Sequence, residues 1–135
     1  MSKRIKKAAI IMLIVLLSFI LLVFLIIEID LINNKYTGFT DIISVIKINC
    51  GSDYEVISTT GSGDDVEQIV MAKNLDEFED YLEENGCEKK SQAGNGSVYV
   101  SADGKEFDVI RCYRMSLSVY VIFTIKQATM DEIIR

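Results

Sequence analysis

The hydrophobic pattern divides the chain into one long apolar run and a remainder of short periodic segments. Residues 8–27 contain no charged side chain, and Ser18 carries the only hydroxyl group among them. At about 1.5 Å rise per residue the run forms a helix of roughly 30 Å, the thickness of a bilayer hydrocarbon core. The pattern therefore predicts a single transmembrane helix that contacts membrane lipid through residues 8–27.

The residues that flank this run predict its orientation. Four bases precede it and two acids follow it: Lys3, Arg4, Lys6, Lys7, Glu28 and Asp30. By the positive-inside rule, residues 1–7 form a cytoplasmic tail and the C-terminal part lies outside the cytoplasm. The run is longer than the apolar region of a cleavable signal peptide, and no small-residue cleavage site follows it. We therefore expect an uncleaved signal anchor in the cell membrane.

We expect residues 28–40 to form a linker, because they contain turn-forming residues. Beyond the linker, β-branched residues favour a strand at Ile42–Ile48, and alternation predicts a second strand at Tyr54–Thr59. The turn-forming residues 49–52 between them indicate a hairpin. Residues 66–73 fit both a helix and a strand, and we prefer the strand because the next segment begins its own helix.

That next segment carries the clearest helix signals of the domain. Asn74 is a good N-cap with Glu77 at the capping-box position, and Gly86 is suited to end the helix. Four apolar or aromatic residues fall on one face at helical spacing: Leu75, Phe78, Tyr81 and Leu82.

After Gly86 the pattern changes to a period of two, which is typical of strands. Four runs, separated by short turns, follow one another: 87–92, 97–101, 106–114 and 117–125. In the last run the odd-numbered residues are apolar and are expected to line the core: Leu117, Val119, Val121, Phe123 and Ile125. Thr129 and Glu132 could cap a final helical turn within a C-terminal tail at 127–135.

These elements predict an α+β fold. A single N-terminal transmembrane helix is followed by a small domain at residues 41–126, with one main helix packed on an antiparallel β-meander.

Charge is distributed unevenly between the two parts. Residues 1–27 hold four of the 14 bases and none of the 20 acids, so the remainder carries 10 bases, 20 acids and a formal charge of −10. An acidic domain of this kind is not expected to bind nucleic acid through its overall field, whereas a basic protein partner would be attracted.

Two charged segments are candidate binding sites. The predicted helix carries acids at i, i+4 spacing, where like charges destabilise a helix by about 0.2–0.5 kcal/mol per pair. These acids could form either a solvated surface or a face that binds a partner. They are Asp76, Glu79, Asp80, Glu83 and Glu84. On a later strand, Arg111, Tyr113 and Arg114 form a basic and aromatic spot, which could bind an anion or form an ion pair with the acidic helix.

Candidate chemistry is sparse. The chain has three cysteines and no His, so the commonest general base is missing, and no cysteine pair shows zinc-ligand spacing. We expect no cofactor, no metal and no catalytic residues. Three free thiols are the favoured interpretation, and a disulfide between Cys87 and Cys112 is the alternative.

The architecture is similar to that of type IV pilins and pseudopilins, which also join a basic leader and an apolar helix to an α+β head. The run Ile10–Ile14 lacks the acidic residue that marks that family, so the resemblance covers architecture only. Our first hypothesis is a non-enzymatic interaction module held at the membrane. A structural envelope or pilin-like assembly subunit is the alternative, and an envelope hydrolase ranks third.

Overall fold

The computed structural model describes residues 2–33, 39–114 and 120–134, without the side chains of 30–33, 39–40 and 113–114. Its contacts divide the chain into two compact units, residues 1–42 and 43–135. An N-terminal long apolar helix belongs to the first unit, and a small α+β domain makes up most of the second. The predicted fold class is confirmed.

Helix α1, Lys3–Asn33, contains the predicted apolar run. The most apolar 18 residues within Lys3–Ile29 have a mean hydropathy of 3.6, and only 6% of them are buried. The helix is therefore long and apolar enough to cross a membrane. It continues into the predicted linker as far as Asn33, whereas residues 34–38 lie outside the described part of the chain.

The strand predicted at Ile42–Ile48 is wrong, because these residues belong to helix α2, Phe39–Asn49. Val45 and Ile48, one helical turn apart, are both buried. The positive φ of Gly51 and a hydrogen bond from the Ser52 N–H to the Lys47 carbonyl oxygen at 3.0 Å end the helix, so the predicted hairpin turn is a helix C-terminus. The preference of each β-branched residue for a strand over a helix amounts to roughly tenths of a kcal/mol, and the burial of one helical face outweighs it.

The second unit is built on a six-stranded antiparallel sheet in the order β1-β2-β6-β5-β4-β3. The strands are β1 Glu55–Thr60, β2 Glu67–Ala72, β3 Glu88–Ala93, β4 Gly96–Val100, β5 Glu106–Arg114 and β6 Val121–Lys126. Strand β1 pairs with β2, not with residues 42–48, and the strand preferred for 66–73 is confirmed. The predicted meander is β3 to β6, and it places β6 beside β2 in the middle of the sheet.

Helix α3, Leu75–Glu84, connects β2 to the far edge of the sheet and packs on one face. The predicted N-cap is confirmed, because the Glu77 N–H donates to Asn74 Oδ1 at 2.8 Å. Gly86, whose φ is +85°, terminates the helix: its N–H donates to the Glu83 carbonyl oxygen and the Cys87 N–H to the Leu82 carbonyl oxygen, both at 3.0 Å. Phe78 and Leu82, from its apolar face, are fully buried.

The main core lies between α3, the C-terminal helix and this face of the sheet. The ring of Phe78 stacks on that of Phe123 in β6, with centroids 4.6 Å apart. Val121, Phe123 and Ile125 point into this core as predicted, whereas Leu117 and Val119 lie outside the described residues. On the opposite face the cross-strand neighbours Met71 and Ile122 are also fully buried, so the centre of the sheet is buried on both sides.

The predicted final helical turn is α4, Met130–Ile133. The Thr129 N–H donates to Glu132 Oε2 at 3.3 Å, which supports its first turn. A buried glutamine of β2, Gln68, accepts the Met130 N–H at 2.7 Å and so fixes α4 to the sheet.

Candidate binding cleft and acidic helix face

The five candidate acids of α3 define what we call the acidic face: Asp76, Glu79, Asp80, Glu83 and Glu84. The helix exposes four of them because its apolar side is buried on the sheet, and Glu79 is half-buried. Glu79 forms an ion pair with Lys89 of β3, with Nζ to Oε1 at 2.8 Å. Within the described part of the chain, the other four carboxylates form no ion pair shorter than 4.0 Å. The acidic face is thus a solvated surface of mostly uncompensated negative charge.

Arg111, from the predicted basic spot, is positioned by the turn between β3 and β4. Its N–H donates to the Asn95 carbonyl oxygen at 2.9 Å, and Asn95 Nδ2 donates to the Arg111 carbonyl oxygen at 2.8 Å. A β-bulge between Arg111 and Tyr113 interrupts the pairing with β6 and leaves Cys112 as the extra residue. The side chains of Tyr113 and Arg114 lie outside the described part of the chain, so their place in the spot stays a prediction.

Arg111 lines a cleft that opens between the first half of α3 and the sheet. The cavity volume of the cleft is about 40 Å³. Apolar side chains and an aromatic ring form part of its lining: Leu75, Tyr99, Val109 and Phe123. Polar residues and a glycine form the rest: Glu79, Gln92, Gly94, Asn95, Ser97 and Arg111. One member of the acidic face and one member of the basic spot therefore meet in a single amphipathic cleft.

Arg111 does not form the predicted ion pair with the acidic helix. No described carboxylate lies within 4.0 Å of its guanidinium group, and Glu79, the acid in the same cleft, pairs with Lys89 instead. Lys105 and Lys126, the other half-buried bases described, are both paired, with Glu132 and Glu67. Arg111 is therefore the one half-buried base without a carboxylate partner in this part of the chain.

Tyr99 contributes a buried polar atom to the same region. The residue is 1% exposed, and its hydroxyl group has no hydrogen-bond partner of good geometry among the described residues. Burial, followed by the nearby carboxylate of Glu79, raises the pKa of Tyr99 well above its ordinary value. The hydroxyl thus stays protonated throughout the neutral range. Its ring stacks on Phe107 at 5.8 Å between centroids, which fixes one wall of the cleft.

All three thiols are free, and the alternative disulfide is not formed. Cys87 is buried in the main core, and burial raises the pKa of its thiol. Cys112 is exposed on β5, with its Sγ 2.9 Å from Thr124 Oγ1. Among the described residues, no group of three or more His, Cys, Asp or Glu side chains is placed to hold a metal ion.

No protein-family model, curated protein or solved structure matches the chain. The candidate sites therefore depend on their own geometry. Sequence reasoning found Arg111 and Glu79 but missed the residues that complete the cleft, notably Asn95, Ser97 and Tyr99. The Gly94–Gly96 turn between two predicted strands was the available signal, since a hairpin turn places its residues at the end of the neighbouring strand.

Proposed function

We propose that the chain is a single-pass membrane protein whose acidic C-terminal domain is a non-enzymatic binding module outside the cytoplasm. The observation that carries this proposal is α1, an apolar helix of membrane-spanning length that is almost entirely unburied. A helix with this exposure is costly in water and stable in lipid, because each buried CH₂ group contributes about 0.8 kcal/mol. The four bases before the helix favour the stated orientation.

The acidic face supplies the contact surface in this proposal. Asp76, Asp80, Glu83 and Glu84 are exposed and have no ion-pair partner within the described residues. A basic patch on a neighbouring protein would pair with these carboxylates and relieve their mutual repulsion. Anchoring both proteins in one membrane raises their effective concentration, so that a weak contact is sufficient. The partner is therefore a basic protein at the outer membrane surface.

Topology is the first test of the proposal. Intact cells are treated with a protease too large to cross the membrane, and the C-terminus is then detected by blotting. Loss of the signal is expected. Protection in intact cells, with cleavage after lysis, would place the domain in the cytoplasm and contradict the proposal.

Partner binding is tested on the full chain purified in detergent from its native membrane. The variant D76N/D80N/E84Q removes three charges from the acidic face. The matched control D64N/D65N/E88Q removes three exposed charges elsewhere. We expect co-purifying proteins to be lost from the first variant and retained by the second. Equal retention by both variants would show that the acidic face is not the contact surface.

A further inference from the structure

A shallow apolar hollow lies on the face of the sheet opposite α3, between β3, β4 and β5. We propose that it binds a lysine side chain presented by a partner protein, with the aliphatic stem in the hollow and the ammonium group on the carboxylate of Asp108. The proposal goes beyond the acidic face, because α3 packs on the other side of the sheet. A lysine bound here would therefore contact a second, separate surface of the domain.

The strand pairing determines which side chains line the hollow. Side chains alternate between the two faces of a strand, and Phe107 and Val109 of β5 lie in the main core. Asp108 and Ile110 therefore lie on the opposite face, next to residues of β4 and β3. The lining includes Ser91, Ala93, Gly96, Val98, Asp108 and Ile110.

Two small residues open the hollow. Ala93 and Gly96 are cross-strand partners, and a Cβ at Gly96 would lie 3.8 Å from Ile110 Cγ1, so the missing side chain leaves room beside Ile110. The hollow has a volume of about 230 Å³, and the six residues named above are all half-buried or exposed. The space is smaller than a pocket for a drug-sized ligand and admits one aliphatic stem at the surface of the sheet, without displacing the core.

Asp108 supplies the charge complementarity. Its side chain is half-buried, and no base in the described part of the chain lies within 4.0 Å of its carboxylate. Lys126, its cross-strand neighbour in β6, forms an ion pair with Glu67 at 3.3 Å. Lys90 of β3 pairs with Glu106, the first residue of β5. These two bases and three acids leave one uncompensated negative charge at the hollow, which one ammonium group balances.

The separation of the apolar part from the carboxylate selects lysine. Ile110 and Asp108 lie on the same face two residues apart, which is about 7 Å along the strand. A lysine has a flexible four-carbon stem and a compact ammonium group, so its stem can pack on Ile110 while its head reaches Asp108. A purely apolar side chain in the hollow would dehydrate the carboxylate without giving it a partner.

The test uses the full ¹⁵N-labelled chain in uncharged detergent micelles and follows backbone amide shifts. Salt at about 0.15 M screens the general attraction of cations to an acidic domain. The probes are peptides of the form acetyl-Gly-Gly-X-Gly-Gly-amide, in which X is lysine, norleucine or 2,3-diaminopropionic acid. Norleucine keeps the aliphatic stem without the charge, and 2,3-diaminopropionic acid keeps the charge on a short stem.

Three single variants separate the parts of the site. Asp108→Asn removes the charge from the hollow, and the matched control Asp64→Asn removes an exposed charge outside it. Ala93→Leu fills the hollow from the exposed edge strand β3 and leaves Asp108 in place. The acidic-face variant described above is titrated in parallel.

We expect saturable shifts at amides of β3, β4 and β5 with the lysine peptide, and at least about fivefold weaker binding of the other two peptides. Asp108→Asn and Ala93→Leu should each weaken lysine binding by a similar factor, whereas Asp64→Asn and the acidic-face variant should bind as the unaltered chain does. Loss of binding in the acidic-face variant would contradict a separate site. Shifts that do not saturate, equal binding of the lysine peptide and either of the others, or full binding by a folded Asp108→Asn variant would overturn the proposal.

Discussion

Replacing Gln68 by leucine should destabilise the domain by removing the hydrogen bonds that join β2 to α4 and β1. Gln68 is 6% exposed, its Oε1 accepts the Met130 N–H at 2.7 Å, and its Nε2 donates to Thr59 Oγ1 at 3.0 Å. Gln68→Leu keeps the size of the side chain but leaves the Met130 N–H without an acceptor in a buried position. Thr59 is exposed, so water replaces its lost bond.

The magnitude follows from these contacts. A buried donor left without a partner costs about 1–3 kcal/mol. The additional apolar surface of leucine returns up to about 1 kcal/mol. We therefore expect a net loss of about 1–2 kcal/mol in the free energy of unfolding, or a roughly 5- to 30-fold larger unfolded fraction. The control Thr59→Ser keeps the hydroxyl group that accepts from Gln68 Nε2 and should change the free energy by at most about 0.5 kcal/mol.

The buried thiol of Cys87, 2% exposed, provides the assay. In a full chain with Cys50→Ser and Cys112→Ser, short pulses of a thiol reagent at increasing urea concentration label Cys87 only when the domain opens. The midpoint for Gln68→Leu should fall relative to the parent, and the midpoint for Thr59→Ser should stay close to it. An unchanged or higher midpoint for Gln68→Leu, or equal losses in both variants, would refute the reasoning.

Three further predictions concern local features, and the first and third are read in the same labelling assay. Asn74→Ala removes the side-chain cap of α3 and should cost about 1 kcal/mol. The hydrogen bond from Lys105 holds the pKa of Glu132 below its ordinary value of 4.5, so this stabilisation is present above pH 4.5 and is lost as pH falls through the folded-state pKa. Lys105→Met should raise that pKa in a carboxyl NMR titration, and an unchanged pKa would contradict the assigned cause. At Gly61 φ is +73° and a Cβ would lie 2.3 Å from a backbone oxygen, whereas at Gly63 φ is +59° and a Cβ would have no atom within 4 Å. Gly61→Ala should therefore lower the free energy of unfolding at least twice as much as Gly63→Ala. The second substitution should cost about 1 kcal/mol, and equal losses would contradict the predicted clash.

Elements with local signals were predictable from the sequence. The cap at Asn74, the apolar face of α3 and the Gly86 stop lie within one segment, and all three are confirmed. Strand β6 and the final helical turn were found in the same way. Helix α2 was missed because Ile and Val at 42–48 favour a strand locally, while packing of a helical face decides the outcome. That packing depends on residues distant in sequence.

The cleft was only half predictable for a related reason. Arg111 and Glu79 were identified as charged candidates, but their relation depends on the pairing of β5 with the turn at Asn95, 16 residues away. From the sequence, an ion pair between the basic spot and the acidic helix was favoured over an anion site. The structure instead pairs Glu79 with Lys89 of the edge strand β3.

The two outermost strands of the sheet share a feature that affects how copies of this protein would behave when they are crowded together. Strand β1 bulges between Val56 and Ser58, and β3 bulges between Lys89 and Ser91, where Lys90 is the extra residue. Bulges and lysines at an edge prevent a second sheet from continuing the ladder in regular register. Copies anchored in one bilayer through α1 would diffuse in two dimensions and meet often. Irregular margins on both sides would let such copies accumulate at high surface density without joining into intermolecular sheets.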